Sequence, residues 1–76
     1  RERPAGSYTV ALLEDPALAG EKVREEAEEV ARAAREESDE RLDEEAADVL
    51  YHLAVLLLGR GRSLGDAGSV LDGRRR

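Results

Sequence analysis

The chain contains no cysteine, which excludes both a disulfide framework and a thiolate metal site. Phe, Trp and Met are absent too, and two tyrosines make up the whole aromatic content. Bulk for a hydrophobic core is therefore scarce, because the many alanines each remove little apolar surface from water. The longest apolar run, LAVLLL at 53–58, is far too short to cross a bilayer, and no basic segment leads into an apolar stretch as in a signal peptide. A positive field is also missing. The net charge of −6 argues against binding nucleic acid or an anionic membrane, while leaving room for a small phosphorylated ligand bridged by a cation. No glycine-rich phosphate loop, GxSxG or Cys–His pair occurs, so no side-chain nucleophile presents itself.

The 76 residues suffice for one small domain, taken as 1–76, in a soluble cytoplasmic protein. A core this poor in a chain this short predicts stabilisation by self-association. The chain starts at Arg1 rather than Met, which points to a further N-terminal piece.

Ala, Leu, Glu and Arg dominate and no β alternation is visible, so an all-α fold is expected. Pro4 and Gly6 mark an irregular start, with Ser7 or Thr9 capping a first helix through about Glu14. Asp15-Pro16 reads as an N-cap with Pro at the first helical position, opening a second helix to about Glu37. Gly20 weakens its first turns and moves its expected start toward Glu21. Ser38-Asp39 caps a third helix from about Glu40 to Leu58, stopped by Gly59, Arg60 and Gly61. Ser63 and Asp66 have capping-box spacing and open a fourth helix ending near Gly73. The short link at Ser38 makes helices two and three antiparallel neighbours in a small helical bundle, completed by homo-oligomerisation.

At 3.6 residues per turn, Val23, Ala27, Val30 and Ala34 line up as the apolar stripe of the second helix, with Glu26 and Glu29 on its flank and Lys22 and Glu25 close by. Leu42, Ala46, Val49, Leu50, Leu53, Leu56 and Leu57 form a broader apolar face on the third, edged by Glu45, Asp48 and His52. Two readings of these acids are open. Acidic helix surfaces usually just face solvent, and the spacings Glu21–Arg24, Glu28–Arg32 and Glu37–Arg41 suit such a salt-laced surface. Glu26, Glu29, Glu45 and Asp48 differ in bordering apolar stripes, where desolvated carboxylates are costly and raise one another's pKa unless a cation joins them. An oxygen-only set suits Mg2+, with Mn2+ as the alternative, better than Zn2+. A di-iron bundle fits less well, because Val49 stands where its Glu-x-x-His motif needs Glu. His52 is either a ligand or proton carrier, or a hydrogen-bonded histidine at the edge of the core. Tyr51 is expected to point away from the acids as a packing or interface residue. Lys22, the sole lysine, either contacts a substrate phosphate or pairs with Glu26.

KVREEAEEV at 22–30 and EEAADVLYHL at 44–53 resemble phosphoribosyl-ATP pyrophosphohydrolase of histidine biosynthesis, in the MazG-like all-α nucleotide pyrophosphohydrolases. The superfamily pattern Glu-Glu-x-x-Glu, then Glu-x-x-Asp, falls on Glu25, Glu26, Glu29, Glu45 and Asp48. RPAGSYTVALLED at 3–15 and LYHLAVLLLGRGRSLGDAGSVL at 50–71 resemble the family's opening segment and its closing helices, so nearly the whole chain is covered. Two departures stand out: the family's helical stretch before the opening segment is missing, and Gly65 and Gly68 weaken helix four. The resemblance implies Mg2+-dependent hydrolysis of phosphoribosyl-ATP to phosphoribosyl-AMP and pyrophosphate. It implies metal ligands Glu26, Glu29, Glu45 and Asp48, with Glu25 as a further catalytic carboxylate that either holds a second metal or orients water, and Lys22 as a phosphate contact. A homodimer with a four-helix core is the simplest assembly. A house-cleaning enzyme for noncanonical nucleoside triphosphates is an alternative within the superfamily, and a non-catalytic oligomerisation module is one outside it.

Overall fold

In a computed structural model that describes residues 5–74, the chain forms four helices, with no strand among the described residues. They are α1 (Ala5–Leu13), α2 (Pro16–Glu36), α3 (Asp39–Leu58) and α4 (Leu64–Arg74). The expected all-α fold is observed. The caps follow their sequence signals. Asp15 accepts the Leu18 amide at 3.1 Å with Pro16 at the first helical position, and Ser38 accepts the Arg41 amide at 3.2 Å. Ser63 and Asp66 close a reciprocal capping box: the Ser63 amide donates to Asp66 Oδ2 at 2.9 Å, and the Asp66 amide donates to Ser63 Oγ at 3.1 Å.

Two boundaries differ from expectation. α1 starts by Ala5, so Gly6, Ser7 and Thr9 lie within it rather than before or at its cap; Pro4 falls outside the described residues. Local capping chemistry loses here to tertiary contact, since Tyr8 and Thr9 both hydrogen-bond to side chains of α3. α2 begins at Pro16 despite Gly20, where an added Cβ would meet nothing within 4 Å. After α3, the left-handed residue is Gly61, with φ of 72°, whereas Gly59 keeps a right-handed helical conformation.

α2 and α3 form the hairpin that carries the fold, and α1 packs across both. Their shared core is small, consisting of Leu12, Ala19 and Val55, with Tyr8, Leu13 and Leu56 packed around it. α4 touches only α3 and buries none of its residues.

The inward faces correct the expected stripes. On α2 the buried positions are Ala19 and Ala33, while Ala27 and Ala34 are exposed; Val23, Glu26, Glu29 and Val30 are half-buried. On α3 the buried residues are Glu45, His52 and Val55, and Leu50 is 55% exposed. The acids and the histidine thus take part of the inner face instead of its edge, and part of the apolar surface turns outward. Ala27, Val30, Ala46, Val49 and Leu50 line an open apolar groove of about 330 Å3 between α2 and α3.

Candidate carboxylate site

Glu26 and Glu29 are three residues apart on α2, and Glu45 faces them from α3. One carboxylate oxygen from each lies within 4.8 Å of the other two. The hairpin places them there because Glu26 and Glu29 share a helical face and the short Glu37–Ser38 link returns α3 against it. Of the four acids expected to converge, these three do. Asp48 is exposed and outside that close group, one turn beyond Glu45 on α3. Glu25 is exposed on the adjacent face, where the Lys22 ammonium lies 3.5 Å from its Oε1. Lys22 therefore pairs with Glu25 rather than Glu26.

The electrostatics of the three acids are adverse. Desolvation by burial is the largest influence raising the Glu45 carboxyl above its ordinary value of 4.5, followed by its contact with Glu29 and the nearby charges of Glu29 and Asp48. Arg41 opposes the shift from 2.7 Å. Its guanidinium also reaches Glu37 and Glu44, so it joins the acids before and after the start of α3 to the site. Glu26 Oε1 is buried without a hydrogen-bond partner. Such an orphaned acceptor costs about 1–3 kcal/mol, and more when charged. An all-oxygen group containing one unsatisfied anionic atom is chemically suited to a hard divalent cation.

A measurable pH effect follows. With its folded pKa raised, the Glu45 carboxyl contributes stability that is complete below 4.5 and is lost as pH rises through the folded value. In EDTA, the melting temperature of Glu45→Gln relative to the parent should therefore increase from acid to neutral pH. A flat difference across that range would refute this assignment.

His52 has both ring nitrogens engaged. Nδ1–H donates to the Asp48 carbonyl at 2.9 Å, which leaves Nε2 to accept the Tyr8 hydroxyl at 2.8 Å. It is a hydrogen-bonded core histidine that ties α1 to α3. Two further contacts were not anticipated from sequence: the Arg41–Glu45 pair and the Tyr8–His52 bond. The first is signalled only by i,i+4 spacing, which Arg41 also has with Glu37. The second joins distant segments and leaves no local trace.

The fold and these side chains define the class: a small all-α protein with an oxygen-only carboxylate cluster across a helical hairpin. More particularly, the chain belongs to the phosphoribosyl-ATP pyrophosphohydrolase family, whose sequence pattern matches residues 1–72. It is 54% identical over 72 residues to the phosphoribosyl-ATP pyrophosphatase of Pyrobaculum arsenaticum, covering 92% of this chain and 76% of that protein. It is 51% identical over 77 aligned residues to the histidine biosynthesis bifunctional protein HisIE of Xylella fastidiosa strain Temecula1, covering 100% of this chain. The HisIE protein of Xanthomonas axonopodis pv. citri is 49% identical over 75 residues, 97% of this chain. The chain spans only 37% and 36% of the lengths of these two bifunctional relatives. No solved structure matches it. Among the described residues, no helix is long and apolar enough to cross a membrane.

Proposed function

We propose that residues 1–76 form a single pyrophosphohydrolase domain that hydrolyses phosphoribosyl-ATP to phosphoribosyl-AMP and pyrophosphate in the cytoplasm, with Mg2+ as its cofactor and Mn2+ as a substitute. The observation that carries this reading is the three-carboxylate group of Glu26, Glu29 and Glu45 with its unsatisfied Glu26 oxygen, in a chain of this family. Glu26, Glu29 and Glu45 hold the metal, and Asp48 joins them from the exposed rim. When bound, Mg2+ offsets charge on the triphosphate and lowers the pKa of a coordinated water. Glu25 orients the attacking water and accepts its proton. Water adds to the phosphorus that carries the ribose-linked oxygen, and the bond from that phosphorus to the bridging oxygen breaks, so that pyrophosphate leaves. Lys22 exchanges its pairing with Glu25 for a substrate phosphate.

The test is pyrophosphate release from phosphoribosyl-ATP and from a panel of nucleoside triphosphates, each with Mg2+ or EDTA. Release from phosphoribosyl-ATP only with Mg2+ supports the reading. Preference for noncanonical nucleoside triphosphates would redirect it to house-cleaning, and folded protein inactive on every substrate would remove it.

The same domain is proposed to act as a homodimer. The groove lined by Ala27, Val30, Ala46, Val49 and Leu50 supports this, since an apolar surface on so small a core is stabilised by a second copy. Leu50→Arg places an uncompensated charge there and should weaken dimerisation by about 3 kcal/mol, or roughly a hundredfold in Kd. Sedimentation equilibrium reads the shift, and an unchanged mass distribution would exclude this groove as the interface.

A further inference from the structure

Of the three acids that converge, one already has a cation. Arg41 Nη2 donates to Glu45 Oε2 at 2.7 Å. Among the described residues, no other basic side chain is paired with Glu26, Glu29 or Glu45. Burial sets this pair apart. The Glu45 side chain is 10% exposed, whereas each member of the other described ion pairs is at least 33% exposed. Pairs between two exposed groups contribute little to stability. A guanidinium on a buried carboxylate that lies among other acids does more, because it offsets their mutual repulsion.

The guanidinium is held there without being trapped. Its Nε–H donates to Glu37 Oε1 at 3.3 Å and its Nη1 donates to Glu44, and both of these acids are exposed. Either of them suffices to keep the guanidinium paired, and 51% of its side chain faces water. Letting go of Glu45 therefore strands no charge on the arginine. Glu45 is in the opposite position: without Arg41 it stays buried beside Glu26 and Glu29 until another cation takes over. Two cations on one carboxylate repel each other, so a guanidinium and a divalent ion oppose one another at Glu45. Given the metal site proposed above, we infer that Arg41 is the counter-cation of the metal-free carboxylate group, competing with the divalent ion for Glu45 and thereby setting how tightly that ion binds. Arg41 is then neither a ligand nor a catalytic residue; it determines the metal affinity of the site through Glu45.

Mg2+ is titrated into the metal-free full chain at neutral pH and about 0.15 M KCl, which damps charge effects beyond about 8 Å. Binding is read calorimetrically and as the rise in melting temperature. Arg41→Gln should bind Mg2+ on the order of tenfold more tightly than the parent, with a larger Mg2+-dependent rise in melting temperature. Arg41→Lys keeps the charge and should stay within about threefold of the parent. Arg24→Gln removes the same charge from a pair with Glu21 that does not reach the acids, and should stay within about twofold. A merely structural salt bridge predicts otherwise: a lower melting temperature, with Mg2+ affinity unchanged or weaker. Equal or weaker Mg2+ affinity in Arg41→Gln overturns the inference, as does equal tightening in Arg24→Gln or Arg41→Lys. If Arg41→Gln does not fold, the side-chain nitrogen resonances of Arg41 in the parent decide. They should shift on saturation with Mg2+, and unmoved resonances overturn the competition. Any of these contrary results alongside intact Mg2+-dependent pyrophosphate release removes the role of Arg41 and leaves the activity standing. A folded parent that binds no Mg2+ removes the metal site, and both readings with it.

Discussion

Glu45→Gln is expected to lower kcat/KM for Mg2+-dependent pyrophosphate release by about a hundredfold to a thousandfold, roughly 3–4 kcal/mol of transition-state stabilisation. The substitution keeps the side chain's shape and removes the charge α3 contributes to the three-carboxylate group. It should also abolish the rise in melting temperature on adding Mg2+, because a cation that binds only the folded state stabilises it by mass action. Without metal the same variant should melt at a higher temperature than the parent at neutral pH, since burial and Glu29 oppose the Glu45 charge. Opposite changes in activity and stability separate a site residue from a packing residue. Glu44→Gln is the control. Its carboxylate is exposed and bonded to Arg41, and no large loss of activity is expected. A Glu45→Gln enzyme with parental turnover would sink the assigned role.

Leu12→Ala carries the largest expected loss of stability. Leu12 is 1% exposed and packs with Ala19 of α2 and Val55 of α3, so one side chain joins three helices. Removing it enlarges an apolar pocket of about 90 Å3 already present beside Leu13, Pro16 and Leu56. Leucine-to-alanine changes in such positions cost about 2–5 kcal/mol. In a domain this small, that corresponds to a fall in melting temperature on the order of 10–30 °C. Val10→Ala on the same helix, where Val10 is 51% exposed, should shift stability by no more than about 0.5 kcal/mol. Thermal unfolding followed by circular dichroism at fixed protein concentration compares the two, and similar melting temperatures would show that α1 contributes little to the core.

Much of the site was legible because its pattern is local. Glu26 and Glu29 share a face by helical spacing alone, and the Ser38 cap brings the next helix back at once. Asp48 was legible as part of the acidic edge, yet it sits exposed outside the close group. Periodicity alone does not locate the boundary between buried and open along one helical row. The Tyr8–His52 bond and the stacking of Tyr8 on Tyr51 join segments too distant for any spacing rule to reach.

By itself, the sequence determined the helices and most of their boundaries. Asp15, Ser38 and the Ser63–Asp66 box act through hydrogen bonds spanning three residues, so their partners are set by position along the chain. The tertiary structure decided which way each helix turns. The α2 sequence offers adjacent arcs, one through Ala19, Glu26 and Ala33 and one through Ala27 and Ala34, and periodicity favours the more apolar arc. The chain instead turns the acid-bearing arc toward α3 and leaves Ala27 and Leu50 on an open groove. Helix orientation is set by the summed packing of α1, α2 and α3 around Leu12, Ala19 and Val55, and no single helix encodes that sum.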